Sequence, residues 1–375
     1  MDLVARTVAT WLNSRFPAVP AADRSRLRDL LRAGPATPNY DDCHASFAAE
    51  FLLVNFWKCA AALTDARPDP APVVVDIGCG SGAAAAAALG YLFEAGRTEV
   101  ELHLIDRSPR QLGLAEDLLS TVANRLNEER GLIVKIVPSC RDWPTGKVPD
   151  LPGPVLVLAS HVLTENRSHA ADFIDQAVDL AGPSGSVTVI ERADDRLWSA
   201  LDTHAGESVL ARRAGRRDVP APTADGERRT WATRWLTLER SPYPRCEGAV
   251  HGYLTAWRKQ DPERLGAVFT DAAHYWDKPF QPAIVGLTGI REYWRREVTP
   301  QRNVTVAVES IAYRRDGAHL EWRARLDHGN DTAKVVYGFM VIEVDETGKI
   351  RELRECYRSQ KEACDAGVRS RSGDR

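Results

Sequence analysis

The stretch that decides the fold is "VVVDIGCGSGAAAAAALG", running from Val73 to Gly90. An apolar strand pattern leads into three alternating glycines and then a run of alanines, with Asp76 two residues ahead of Gly78. A strand that ends in glycines and opens a helix forms a cradle for a ligand. Gly78 allows the tight turn, Gly80 lets the backbone approach a ligand, and Gly82 lets helix and strand pack. The helix N-terminus adds unpaired N–H groups. The spacing Gly78-Cys79-Gly80-Ser81-Gly82 is not the G-x-G-x-x-G of dinucleotide binders. The next strand, "ELHLIDRS", ends at Asp106, where a carboxylate can accept both hydroxyls of a ribose. Adenosine without a pyrophosphate fits this pattern.

Outward from the glycine loop, short apolar strands alternate with helices. The strands are "VVVDIG", "ELHLID", "IVKIVP", "PVLVLAS" and "SVTVIE", with "RTWATRWLTLE" (Arg229–Glu239) as a late strand of the same sheet. Strands with little internal polarity, alternating with helices, predict a parallel sheet covered on both faces over residues 71–242. Residues 1–70 read as a helical cap that ends at "ARPDPAP". After the linker "RSPYPRCEG", helices come first and long strands follow, an α+β pattern over residues 243–361 with an antiparallel sheet. Residues 362–375 read as a flexible polar tail.

Composition excludes several classes. The chain has 375 residues, 44% of them hydrophobic, so two ordinary globular domains are expected. A net charge of −3 gives no basic excess for nucleic acid. The most basic stretch, "ARRAGRR" (Ala211–Arg217), reads with the "DVPAPTADGERR" after it as a solvated, mobile loop, a phosphate contact being the lesser alternative. The seven cysteines form no CxxC pair and no zinc spacing, which predicts reduced thiols, a cytoplasmic location and no metal. The N-terminal stretch lacks a signal peptide's apolar core, and no apolar run reaches the ~18–20 residues of a membrane helix, so no membrane partner is expected.

Residues 40–240 resemble class I S-adenosylmethionine-dependent methyltransferases. "VVDIGCGSG" looks like their first motif and "LHLIDRSP" like their second. The resemblance implies a Rossmann-like methyltransferase domain with S-adenosyl-L-methionine as cofactor. Gly78, Gly80 and Gly82, with Cys79 between them, would line its methionine part. Asp106 would hold the ribose, with Arg107 beside it. Asp76 would order the loop or meet the cofactor's ammonium through water. Family members often carry an acid just after the third strand, near the adenine amino group. "IVKIVPSCRDWP" puts Cys140 about there and Asp142 two residues on. Asp142 is a candidate for the adenine amine, and Trp143 either packs on the adenine or belongs to the core.

Methyl transfer is an in-line displacement that needs alignment and, for a protonated acceptor, a base. The fourth strand runs into "LASHVLTEN", placing Ser160 and His161 at its end and Glu165 and Asn166 beyond. His161 is the candidate general base, because its natural pKa lies near neutrality; the alternative is packing or orienting the cofactor. Within "PNYDDCHASFAAEFLLVNFW", Tyr40, Asp41 and His44 are candidates to hold a small organic substrate, beside the aromatic stripe of Phe47 and Phe51.

Residues 245–360 resemble the SnoaL-like branch of the NTF2-like superfamily, on "YLTAWRKQDPERLGAVFTDAAHYWDKP", "VGLTGIREYWRREVTPQ", "HLEWRARLD" and "KIRELRECYRS". The resemblance implies a cone-shaped sheet around helices with an apolar pocket, and pairing into a homodimer. Candidate lining residues are Tyr275, Asp277, Trp294, Trp322 and Tyr337, with Trp257 and Trp294 also readable as core. Asp277 is a candidate base if desolvation raises its pKa. Glu321, Arg323 and Arg325 share one face of their strand, either an interface or solvated.

The leading expectation is a methyltransferase of a small molecule in secondary metabolism. The C-terminal domain would complete the substrate site, process the product or dimerise the enzyme. The alternatives are an RNA- or ribosome-directed methyltransferase or assembly factor, on a faint likeness of "VLASHVLTEN" to a ribosomal small-subunit methyltransferase-like family, and a non-catalytic ligand-binding protein.

Overall fold

In the computed structural model, the residues described are 1–32, 39–143, 151, 153–164, 169–182, 184–192, 195–207, 211–222, 227–241, 243–327 and 332–363. The chain divides into two compact units: Met1–Asp202 with Arg212–Arg240, and Thr203–Ala211 with Ser241–Arg375.

The first unit is built on a seven-stranded sheet. Its strands are β1 (Val73–Ile77), β2 (Glu99–Asp106), β3 (Ile133–Cys140), β4 (Val155–Ser160), β5 (Ser186–Arg192), β6 (Ala211–Pro222) and β7 (Arg228–Glu239), in the order β3-β2-β1-β4-β5-β7-β6. Strands β1 to β5 pair in parallel, and β7 joins β5 antiparallel. The order reverses between β1 and β4. In open α/β sheets such a switch point leaves a crevice at the strands' carboxyl ends. β1 is buried along its whole length, as expected of a strand covered on both faces.

The helices of this unit are α1 (Asp2–Arg15), α2 (Ala21–Arg32), α3 (Tyr40–Ala66), α4 (Ala83–Glu94), α5 (Pro109–Arg130), α6 (Ala170–Ala181) and α7 (Asp195–Glu207), whose last residues fall in the second unit. Residues 1–66 do not stand apart as a cap. Val4, Val8, Leu52, Phe56 and Leu63 of α1 and α3 share one apolar core with Ala85–Leu89 of α4. α3 is long and apolar enough to cross a membrane by length and composition, against the sequence reading, yet half of its most apolar window is buried inside the protein. The "ARRAGRR" stretch is strand β6, not a loop. It lies at the sheet edge, where prolines and solvent-facing arginines are tolerated because one side needs no ladder. Residues 223–226 lie outside the described residues.

The second unit contains α8 (Pro244–Lys259), a 3-10 turn at Pro262–Arg264, α9 (Leu265–Val268) and α10 (Gly286–Glu297). Its strands are β8 (Phe269–Trp276), β9 (Ile284–Val285), β10 (Arg302–Arg314), β11 (Gly317–Asp327), β12 (Thr332–Val344) and β13 (Ile350–Ala363). They form one sheet in the order β10-β11-β12-β13-β8-β9. The sheet is mixed rather than wholly antiparallel, because β13 pairs with β8 in parallel. The expected tail begins later than 362, since β13 reaches Ala363; residues 364–375 lie outside the described residues. The cysteines at 43, 59, 79, 140, 246 and 356 are free thiols.

Candidate functional site

A cavity of about 320 Å³ opens where β1, β2 and β4 end. The glycine loop forms one wall. Gly78, Gly80 and Gly82 have φ of 65°, 52° and 87°, the left-handed region that favours glycine. A side chain at Gly80 would meet nothing closer than 4.0 Å, so this backbone faces the cavity openly. Gly82 does a different job. A Cβ there would sit 3.2 Å from the Ala115 backbone, so its lack of one lets the loop pack on α5. Gly82 is accordingly not among the cavity's lining residues, whereas Gly78, Cys79 and Gly80 are.

Two carboxylates serve this loop. Asp106 accepts the Gly80 N–H at 2.8 Å on one oxygen and the Ser108 N–H at 2.8 Å on the other. The Arg107 N–H also donates to this carboxylate, which keeps acceptor capacity for a ligand hydroxyl. Burial raises the Asp106 pKa, and its backbone donors pull the other way. Asp76 is fully buried, and one oxygen accepts the Ala85 N–H at 3.0 Å. The other has no hydrogen-bond partner among the described residues. Burial pushes the Asp76 pKa up to about 7.

Past β2, Arg107 lines the cavity with its guanidinium 6.0 Å from the centre of the Tyr40 ring. Past β3, Asp142 and Trp143 line it, and Cys140 does not. Of the two candidates after β3, the structure therefore brings Asp142, and not Cys140, to the cavity. Cys140 is exposed, with its thiol 3.6 Å from the Arg107 carbonyl. Trp143 meets Phe173 edge-on at 6.2 Å, and its indole N–H has no partner among the described residues.

Tyr40 and Phe47 of α3 reach the cavity, with rings 5.2 Å apart and edge to face. Asp41 and His44 do not line it. Asp41 is instead a clamp on α5. It accepts the Ser108 hydroxyl at 2.6 Å and the Arg110 N–H at 3.2 Å, and the Ser108 bond lowers its pKa. His44 Nδ1 lies 2.8 Å from the Asp41 carbonyl. Phe51 packs against Phe47 behind the wall.

The far wall is Ser160 and His161, at the end of β4. The Ser160 hydroxyl is 3.2 Å from the Cys59 thiol. His161 adopts φ 61°, a conformation histidine takes more readily than most residues. Its Nε2 lies 2.7 Å from Lys58 Nζ, and its Nδ1 3.6 Å from Glu191. Burial and the neighbouring Lys58 cation hold the His161 pKa well below the usual value. A neutral imidazole beside an ammonium accepts at Nε2 and carries its proton on Nδ1, towards Glu191. Nε2 is thus engaged by Lys58, while Nδ1 faces Glu191 beyond hydrogen-bond distance. Of the two readings of His161, a general base or an orienting group, this contact bears on the first: the lone pair that would take a proton faces Lys58.

Lys58 is itself 5% exposed, and burial pushes its pKa down to about 8. Glu191, at the end of β5, is fully buried and accepts the Leu163 N–H at 2.8 Å and the Thr164 hydroxyl at 2.6 Å. Its pKa is pushed up to about 7 by burial. The sequence reading missed Lys58, Glu191, Asn55, Gln111 and Arg141. A signal existed for two of them: Asn55 and Lys58 stand three residues apart in "FLLVNFWKCAAAL", on one helix face amid apolar neighbours. Glu165 and Asn166 lie outside the described residues.

The remaining candidates belong to the second unit. Trp294 and Trp322 are each 1% exposed and pack with Tyr253 and Trp257 as core. Tyr337 was expected inside the cone. It is 43% exposed, on the opposite face of β12 from buried Val336 and Met340. Asp277 is half-buried and accepts the Tyr357 hydroxyl at 3.1 Å, with Lys278 Nζ at 3.7 Å. Deeper in, Glu355 accepts the Tyr253 hydroxyl at 2.6 Å, and burial pushes its pKa up to about 8. Arg323 pairs with Glu309 at 3.5 Å on the exposed face, and Glu321 takes the Ser310 hydroxyl at 3.1 Å. Arg325 is exposed on the same strand. Among the described residues, no cluster of His, Cys, Asp or Glu could hold a metal ion.

Residues 250–353 match the SnoaL-like domain family. No curated protein matches the chain. Among solved structures, the Δ5-3-ketosteroid isomerase from Mycobacterium sp. is 15% identical, with TM-score 0.29, covering 32% of this chain and 98% of its own. The epoxide hydrolase/cyclase-like SalBIII, of pyran ring formation in salinomycin, is 19% identical, with TM-score 0.28, covering 31% and 92%. A precorrin-6y C5,15-methyltransferase from Geobacter metallireducens is 20% identical, with TM-score 0.36, covering 49% and 87%. The SnoaL-like match thus lies wholly within the second unit, on α8 to β13.

Proposed function

We propose that residues 40–240 bind S-adenosylmethionine and transfer its methyl group to a small organic molecule. One observation carries this reading: the open backbone of Gly80 and the carboxylate of Asp106, joined by a hydrogen bond, face one cavity at the sheet's switch point. The residues present fit the cofactor. Asp106 keeps acceptor capacity for a ribose hydroxyl, and the unpartnered oxygen of Asp76 can take an ammonium, directly or through water. Trp143, on the same cavity, would offer the base a ring face and an unused N–H. When bound, the cofactor supplies an electrophilic methyl carbon.

Tyr40, Phe47, Ser160 and His161 are left to hold the acceptor. His161 acts in this reading as a positioning group, because Lys58 occupies its lone pair. The acceptor is then one that is nucleophilic without a protein base, such as an ionised phenol or carboxylate, or a tertiary amine. The SnoaL-like domain either processes the methylated product or pairs two copies of the chain.

Calorimetric titration of the full chain with S-adenosylmethionine and S-adenosylhomocysteine tests this. Saturable binding is expected, weakened in Asp106→Ala by about 1.5–3 kcal/mol for each lost charge-assisted bond. No binding of either compound by the unmodified chain up to about 1 mM would overturn the reading.

A further inference from the structure

Gln111 stands in the first turn of α5, directly after Asp106 and its cap Ser108. Its backbone N–H is already used, donating to the Ser108 hydroxyl at 3.1 Å. Its side chain is not. The residue is 1% exposed and lines the cavity, and neither Oε1 nor Nε2 has a hydrogen-bond partner among the described residues. A sealed primary amide with both ends unsatisfied is destabilising, and proteins rarely keep one without a use for it. The partner that would satisfy it has a donor and an acceptor side by side in one plane.

We propose that Gln111 reads the base of a bound adenosine. Its Oε1 accepts from the exocyclic amine, and its Nε2 donates to the adjacent ring nitrogen. This rests on the cofactor reading above and adds to it a residue that selects the base. The donor set supports adenine over ribose as the partner. Asp106, an acceptor only, suits two hydroxyls, which leaves the amide's paired donor and acceptor for the amidine edge of the base. The Trp143 N–H, also unpartnered on this cavity, supplies one more donor for a purine nitrogen.

The proposal makes stability and affinity move in opposite directions. Gln111→Leu removes the unsatisfied amide, so the ligand-free protein melts no lower than the unmodified chain. The same change weakens S-adenosylhomocysteine roughly tenfold. Purine riboside, which lacks the exocyclic amine, binds the unmodified chain more weakly than adenosine; in Gln111→Leu that preference shrinks, and what is left of it belongs to Asp142 on the same cavity. Thermal melting and calorimetry with these three ligands measure all of this, and Gln111→Met repeats the test if the leucine variant does not fold. Equal S-adenosylhomocysteine affinity in variant and unmodified chain overturns the proposal. So does an undiminished preference for adenosine over purine riboside in the variant. If the unmodified chain binds no S-adenosylhomocysteine, the cofactor reading fails first, and this proposal with it.

Discussion

Replacing Lys58 by methionine keeps the length of the side chain and removes its charge, which makes it the sharpest probe of the buried trio. The lysine's pKa is pushed from 10.5 down to about 8, by burial first, with Glu191 and Cys59 acting against it. The size of that shift, at about 1.4 kcal/mol per unit, puts the penalty of holding the ammonium inside the fold at about 3 kcal/mol. The sign follows from proton counts. Between the folded and unfolded values the unfolded chain binds more protons, so stability rises with pH through this window. Below about pH 8 the full penalty is present; above the unfolded value it is gone. Lys58→Met escapes the penalty but leaves His161 Nε2 without its 2.7 Å partner, a loss of about 1–3 kcal/mol. Near pH 7 the variant is therefore as stable as the unmodified protein or more so, by up to about 2 kcal/mol, and near pH 10 it is clearly less stable. Urea unfolding of both proteins across this range, taken as a difference, cancels the other lysines and tyrosines. A difference that stays flat from about pH 7 to pH 10 would refute the buried, shifted ammonium and the trio with it.

Gly80→Ala places a methyl group in open cavity space at φ 52°, so a small stability loss of about 1–2 kcal/mol is expected together with a much larger loss of S-adenosylhomocysteine binding. Unchanged affinity by calorimetry would move the ligand away from this loop. Glu355→Gln removes a carboxyl whose folded pKa is about 8 against the usual 4.5. Between those values the folded state holds the proton and the unfolded state has lost it, so the unmodified protein loses stability as pH rises. The variant lacks that loss, and its stability relative to the unmodified protein grows from about pH 5 to pH 8. Denaturant titrations at a few pH values show this, and a constant difference counts against a neutral Glu355.

The glycine loop and strands β1 to β5 were legible in the sequence because each carries a period or a turn residue that physics constrains locally. Asp106 was legible for the same reason, as the last residue of an apolar strand. β6 was not, since an edge strand needs no apolar face, and "ARRAGRRDVPAP" has the composition of a loop. The facing of Tyr337 was hidden by a strand apolar on both sides: "KVVYGFMVIE" gives no alternation from which to read the phase. The engagement of His161 could not be read either. Its partners come from α3 and β5, 103 and 30 residues away in sequence, and only the folded chain brings a lysine to one nitrogen and a glutamate towards the other.

Both free edges of the seven-stranded sheet are interrupted by proline. β3 contains Pro138, and β6 contains Pro220 and Pro222 beside exposed Arg213, Arg216 and Arg217. A row of unpaired amides is a template for another chain, and missing N–H groups and charged side chains on an edge spoil the template. The sheet therefore terminates itself. A second copy that tried to continue it strand by strand would lack ladder hydrogen bonds at these prolines, which disfavours fibrous growth at the two places where an open sheet is most exposed to it.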